Sequence, residues 1–313
     1  MTSMIGRYKR ELSVALTYAA LLTVMAVANP DFFKPDQLRA YSVTLSLVLV
    51  AAVGMTLVIV ARQIDISVGS QFSVCGVVAG LLARAGVPMP LVGLGTLAAG
   101  ALMGSVNGAL VAGLGLPSIV VTLATLVILR ESLRWAREGA FVRNLPANFQ
   151  WFGLGQGVGP WVILGVAFAV FAVFAWAMRN LAAGRAVYAT GSDPEAARLA
   201  GIRPKRVVFG VFVTMGALAG LASLLNAVRF VEVDPNSGSA GLELQAIAAV
   251  VVGGTAVSGG RGTLVGSLFG VLLLGSIGPA LVFLHAQPQW EKVVQGLVIL
   301  VAVASDAIGR KGR

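Results

Sequence analysis

Charged residues are spaced along this chain in a way that leaves few folds open. None occurs in residues 12–30, 40–61, 66–83, 85–129, 144–178, 207–228, 244–260 or 262–290, and a shorter free run covers 293–305. A helix needs about 20 apolar residues to cross the hydrocarbon core of a bilayer, and most of these runs are that long. Composition agrees. Of 313 residues, 57% are hydrophobic and 12% charged, with a mean hydropathy of +0.88, whereas soluble domains are about 25% charged. The expectation is an all-α, polytopic integral membrane protein, a single transmembrane domain over residues 1–313.

The 85–129 run is too long for one crossing, and Gly113 to Pro117 (GLGLP) divides it. The start of the 144–178 run, NLPANFQWFGLGQGVGP, is too rich in Gly, Pro and polar residues to span. Ten crossings result, near 12–28, 41–61, 67–84, 90–112, 118–133, 160–178, 206–227, 244–258, 263–284 and 291–308. Basic residues before the first run resemble a signal peptide, but an A-x-A-like cleavage site followed by a soluble domain is missing, so this run reads as the first membrane helix. Loop charges orient the chain, because Lys and Arg are held on the cytoplasmic side. Arg7, Lys9 and Arg10 then lie inside, as do Arg310, Lys311 and Arg313, which places both termini in the cytoplasm. The 179–206 loop also falls inside and carries six basic residues against Asp193 and Glu195. The 229–243 loop falls outside, with Arg229 against Glu232, Asp234 and Glu243. An external loop over 134–159 is expected, and the neighbouring 130–143 stretch breaks the rule with four arginines on the outside.

Several function classes are excluded. The net charge of +10 sits in short loops and forms no continuous patch for nucleic acid. One cysteine, Cys75, and one histidine, His285, make neither a disulfide nor a metal cluster, and packing is the expected role of each. The phosphate-cradling G-x-x-x-x-G-K-[ST], H-E-x-x-H and CxxC patterns are all absent, so no catalytic centre is expected.

Gly100, Gly104 and Gly108 recur every four residues, as do Gly262, Gly266 and Gly270, and Gly216 pairs with Gly220. Small residues at this spacing form grooves that let helices approach closely in lipid; scattered glycines in a Gly-rich chain are the plainer reading. Two junctions look alike, RQIDISVGS (62–70) and VVGGTAVSGGRG (251–262), each with an isolated charge, Asp65 or Arg261. Interrupted helices in corresponding halves point to a translocation path, so Asp65, Ser67, Gly69, Ser70, Asn107, Gly253 and Gly254 are its candidate residues. Asp65 is equally readable as a partner of Arg62 or as the cap of the helix starting near Ser67. Arg130, Arg134 and Arg137 fall on one helical face. They suit docking of an acidic external partner, or self-pairing of Arg134 with Glu131 and Glu138.

The 184–207 stretch carries a complete short-helix signature. Asp193 is placed to cap it, Pro194 to start it, and Glu195 lies in its first turn. Gly201 supplies a left-handed stop and Pro204 prevents continuation. So short a helix needs a surface to dock on, either the chain's own bundle or a separate subunit.

Three segments, GMTLVIVARQIDISVGS (54–70), ATGSDPEAARLAGI (189–202) and GLELQAIAAVVVGGTAVSGGRGTLVGSLFGVLLLG (241–275), resemble the ribose-type permease subunits of bacterial ATP-binding-cassette sugar importers. NLPANFQWFGLG (144–155) is most similar to rhamnose-type or autoinducer-2-type members, and Ile66 stands where Leu is common. The resemblance implies a type II importer-like permease in the bacterial inner membrane, paired with an identical or closely related permease. It implies a cytoplasmic ATPase subunit that holds ATP and Mg, and an external sugar-binding protein; this chain would hold no cofactor. It also implies that Gly191, Asp193, Pro194, Glu195, Ala196, Ala197, Leu199, Gly201 and Ile202 form the region that couples to the ATPase. The expected function is import of rhamnose, ribose, autoinducer 2 or a similar small polyol. The alternatives are a branched-chain amino acid permease or a stand-alone secondary transporter, and the second needs coupling carboxylates that the helix centres lack.

Overall fold

A helix that is apolar on every side has to be enclosed, and Pro35–Val60 is the clearest case in the chain. In the computed structural model, which describes residues 9–237, 241–284, 287, 289–298 and 300, its last sixteen residues are all buried. The described helices are α1 (Lys9–Ala28), α2 (Pro35–Val60), α3 (Val68–Arg84), α4 (Met89–Gly108), α5 (Ser118–Arg137), α6 (Gly155–Asn180), α7 (Ala182–Ser192), α8 (Pro194–Leu199), α9 (Pro204–Ala227), α10 (Leu242–Val252) and α11 (Leu264–Phe283). Residues 290–298 are also helical. Helices α6, α9, α10 and α11 pack around α2, while α9 lies most extensively against α4.

Six of these helices are long and apolar enough to cross a membrane: α1, α2, α4 with its π-helical extension to Gly113, α6, α9 and α11. Helices α3 and α10 are apolar but shorter. At 11 residues and about 1.5 Å per residue, α10 covers roughly half a hydrocarbon core, where the charge-free run had suggested a crossing over 244–258. Its early stop comes from Gly254, at φ +93, whose N–H donates to the Val251 carbonyl while Thr255 donates to Val250, closing the end as a Schellman turn. Helix α5 extends to Arg137 and α6 starts at Gly155, which narrows the expected 134–159 loop. His285, the C-terminal basic residues and much of the expected tenth crossing lie outside the described residues.

The connections gather at two opposite ends. At one, Gly260 N donates to the Val60 carbonyl at 2.8 Å, Tyr188 to the Gly262 carbonyl at 2.8 Å, and Thr263 to Glu11 at 2.9 Å. At the other, Val142 pairs with Val233 as an isolated antiparallel bridge, Trp151 N donates to the Val228 carbonyl, and Asn29 to that of Phe283.

Two glycine seams account for the closest helix pairs. Gly100 faces Gly216 and Gly104 faces Phe212 across the antiparallel α4–α9 contact, so a Cβ at either position would overlap the opposite backbone. Gly266 and Gly270 meet Gly253 and Ala249 in the α10–α11 contact in the same way. Gly262 lies outside this seam, in the loop beside Thr255, so the second triple repeat is two packing glycines and one loop glycine. Hydroxyls supplement the seams: Thr56 of α2 and Ser267 of α11 bond at 2.8 Å, and Ser223 of α9 donates to the Phe72 carbonyl at 2.5 Å. Such bonds contribute about 0.6–2 kcal/mol each in lipid.

Candidate translocation and coupling sites

The predicted short helix is present as α8. Asp193 accepts from the N–H groups of Glu195 and Ala196 at 2.9 and 3.1 Å, and Pro194 occupies the first helical position. Gly201 has φ +83, and the Ile202 N–H reaches back to the Ala197 carbonyl at 3.0 Å, a second Schellman closure. Ala197 is 3% exposed and Leu199 82% exposed. Ala197 therefore faces the chain's own bundle, and Leu199, with Glu195, Ala196 and Arg198, faces outward.

Helix α7, which no cap signals in the sequence, is the mount for α8. Gly184, Val187, Thr190 and Gly191 are its buried face, a helical stripe visible in the sequence once the segment is known to be helical. A Cβ at Gly191 would overlap the Val60 carbonyl oxygen and lie 2.7 Å from Gly260 N. The ends of α2 and α7 and the 254–262 loop thus meet backbone to backbone. All three segments that carry the family resemblance contribute to this junction.

Asp65 is buried, and Arg62 does not pair with it. Its Oδ1 accepts from Ser67 N at 2.9 Å and Ser67 Oγ at 2.6 Å, and its Oδ2 accepts from Gln71 at 3.3 Å. Gln71 also donates to Ser67 Oγ at 2.7 Å, as does Asn107 of α4 at 2.9 Å. Thr125 of α5 donates to the Asn107 side-chain oxygen at 2.7 Å. The acid thus holds the start of α3 and, through Ser67 and Asn107, links three helices. A buried carboxylate persists only where hydrogen bonds replace its hydration.

This cluster continues as a polar seam between α3 and α5. Ser118 accepts from Ile64 N at 3.2 Å, Thr122 donates to the Ile64 carbonyl at 3.4 Å, and Ser70 to that of Leu126 at 2.9 Å. Above it opens a crevice lined by Ser70, Ser73, Arg130, Leu133, Arg134, Gly139, Pro235 and Asn236. Of the candidate path residues, Asp65, Ser67, Ser70 and Asn107 share this seam, and Gly69 is buried in the first turn of α3. Gly253 packs against Gly266 in the α10–α11 contact, and Gly254 closes α10. Sequence reasoning missed Gln71, Ser118, Thr122 and Thr125. The last three recur at helical spacing within an apolar run, and that periodicity was the available signal.

The arginines of the 130–143 stretch are each engaged within the chain. Arg130 approaches Glu243 at 3.7 Å, Arg134 pairs with Glu131 at 3.2 Å, and Arg143 with Glu232 at 2.8 Å. Arg137 donates to the carbonyls of Ala140 and Phe141. Glu138 takes a left-handed conformation at the end of α5, and the self-pairing seen is with Glu131. Arg229, just past α9, donates to Thr44 at 3.2 Å, and burial lowers its guanidinium pKa from the ordinary value.

A helical bundle with apolar spans, a buried polar seam and a capped outward helix is the architecture of a membrane permease. The chain belongs to the family described as the permease component of branched-chain amino acid transport systems, which matches residues 38–303. It is 35% identical over 299 residues to the autoinducer 2 import system permease protein LsrC of Enterobacter sp. (strain 638), covering 95% of this chain and 86% of the relative. It is 34% identical over 293 residues to the LsrC protein of Escherichia coli (strain K12 / DH10B), covering 92% and 85%. With LsrC of Salmonella typhi the identity is 32% over 297 residues, covering 95% and 85%. No solved structure matches.

Proposed function

We propose that this chain is the permease subunit of an ATP-driven importer in a bacterial inner membrane, carrying autoinducer 2 or a similar small polyhydroxylated ring. An ATPase subunit docks at the end formed by α7 and α8, and a loaded binding protein at the end formed by the 138–154 and 228–237 segments. A second permease, identical or closely related, completes the passage. The chain crosses the membrane ten times with both termini in the cytoplasm, and it performs no covalent chemistry. Transport follows from a cavity open to one side at a time, biased by what docks at each end.

The observation that carries this reading is the seating of α8. A helix of six residues is unstable alone, yet this one is capped at both ends and fixed to α2 through α7, with Leu199 left outward. That combination gives a partner a fixed point to push on, which supports the ATPase contact. The second reading, branched-chain amino acid import, is favoured by the family's description. Against it stand the relatives, which are named for autoinducer 2 import.

The test is reconstitution in proteoliposomes with the cognate ATPase and binding protein, measuring uptake of labelled autoinducer 2, ribose and leucine. ATP-dependent uptake of the polyols is expected. Uptake of leucine alone, or uptake without ATP, would sink the proposal.

A further inference from the structure

The outward face of α6 runs into two arginines that the chain leaves without a counterion. Trp161, Gly165, Phe168, Ala172, Trp176 and Arg179 recur at helical spacing and are all exposed. On a helix long and apolar enough to span a bilayer, such a stripe meets lipid. Trp176 is 58% exposed near the end of α6, where an amphipathic ring marks the membrane interface, and Arg179 follows one turn later at headgroup level. Helix α7 adds the second charge. Gly184 packs so closely on the Met178 backbone that a Cβ would lie 2.5 Å from it. This fold-back brings the Arg185 guanidinium to the Asn180 carbonyl at 3.1 Å, next in the chain to Arg179, and the Asn180 amide is tied to the Trp176 carbonyl at 2.8 Å. Both arginines are exposed, and neither is ion-paired among the described residues. Of the described carboxylates at this end, Asp65 is held by Ser67 and Gln71, Glu11 accepts from Thr263, Asp193 caps α8 and Glu195 pairs with Arg198. The fold thus sets two like charges together at the rim of a lipid-facing stripe, which an anion from outside the chain would balance.

We propose that Trp176, Arg179 and Arg185 seat the phosphodiester of an anionic phospholipid. A guanidinium offers paired N–H donors that match phosphate oxygens. The Trp176 indole, apolar in its body and polar at its N–H, suits the level where acyl chain meets headgroup. A free phosphate would meet only the two charges, whereas a phospholipid also covers the apolar stripe beside them. An anionic surface favours each nearby basic residue by about fivefold, so the two together should select phosphatidylglycerol over phosphatidylcholine by about tenfold or more. Arg185 lies on the exposed side of α7, whose buried side carries Gly191 to the end of α2. A bound headgroup therefore braces the mount of α8 from its lipid-facing edge. The seat needs only that α6 spans the bilayer, and it is independent of the cargo and motor assigned above.

Two experiments on the full-length permease in nanodiscs test this. In the first, the wild type should melt at a higher temperature when phosphatidylglycerol is added to phosphatidylcholine discs. Arg179→Gln/Arg185→Gln should lose that rise while melting like the wild type in phosphatidylcholine alone. Lys205→Gln/Arg206→Gln, which removes two exposed charges at the same end, should keep the rise. Loss of the rise in both variants, or in neither, would overturn the seat. Inorganic phosphate that stabilised the wild type in phosphatidylcholine discs as much as phosphatidylglycerol does would overturn the lipid assignment. The second experiment keeps both arginines and so holds even if their variant misfolds. Quenching of Trp176 is read as the difference in fluorescence between the wild type and Trp176→Phe. Brominated phosphatidylglycerol should quench it at about tenfold lower mole fraction than brominated phosphatidylcholine. Equal quenching by the two lipids would overturn the headgroup contact. Quenching by neither would mean that a second copy of the chain covers this face, and loss of the difference once the ATPase is bound would assign the arginines to that subunit; either result would overturn the proposal.

Discussion

Replacing Gly191 by alanine adds one methyl group where α7 touches the end of α2. The new carbon would overlap the Val60 carbonyl oxygen and sit 2.7 Å from Gly260 N. Both neighbours are backbone atoms, so no rotamer change relieves the clash. Restoring van der Waals distance requires the end of α7 to retreat, which strains or breaks the 2.8 Å bond from Gly260 N to that same carbonyl. Overpacking costs about 1–3 kcal/mol and an unmet buried backbone group about 1–3 kcal/mol, so the variant should lose about 2–6 kcal/mol in all. Gly210→Ala is the matched control. It is also a helical glycine, but nothing lies within 4 Å of its added carbon, so alanine should be neutral or stabilising by about 0.5–1 kcal/mol. Thermal unfolding of the purified protein in nanodiscs measures both, and coupled uptake reports whether the loosened mount still transmits. Equal melting of the two variants would refute the reasoning, because it would mean that α7 is not fixed where the backbone contact places it.

Leu199→Asp should leave expression and melting unchanged yet abolish co-purification of the ATPase, whereas Ala197→Trp should lower the melting temperature by itself because residue 197 faces the bundle; the reverse pattern would place the partner on the other side of α8. Asn107→Leu removes a donor to Ser67 and the acceptor of Thr125, and should cost about 1–3 kcal/mol in a melting assay. Thr125→Val, losing one bond near the edge of the same cluster, should cost less. Single cysteines at Ala196 and Asn236 in a Cys75→Ser background should react with impermeant maleimide from opposite faces of the membrane, and reaction from one face would break the proposed ten-crossing topology. Arg134→Glu places like charge beside Glu131 and should slow capture of the binding protein at low salt if that face also guides docking; capture independent of ionic strength would leave Arg134 with its local pair only.

Features set by local chemistry were readable in the chain. Asp193, Pro194 and Gly201 define α8 because a cap, an N-terminal proline and a left-handed stop act within a few residues. The glycine repeats located both close seams, with Gly262 the exception, since small residues every four positions on a helix share one face. What escaped depends on partners far along the sequence. Helix α7 lacks a cap and is stabilised by the face it lays on α2 and α6. Two arginines of the 130–143 stretch have counterions about a hundred residues away, Arg130 with Glu243 and Arg143 with Glu232, and no local pattern signals such pairs. The shortness of α10 was hidden by an apolar run that continues past the Schellman turn into a loop buried by the neighbouring segments. Asp65 left three roles open in the sequence, and the structure gives it Ser67 and Gln71 as partners and keeps Arg62 away.

The junction of Val60, Gly191 and Gly260 has a consequence for how partners are exchanged. Because it is made of main chain, with glycine at 191 and 260 to allow the approach, fast rotamer motion cannot blur it. The outward residues of α8 carry none of that fit. They form an interchangeable tip on a fixed mount, so substituting Glu195, Ala196, Arg198 and Leu199 with the corresponding residues of another importer should redirect the chain to a different motor without refitting the bundle behind it.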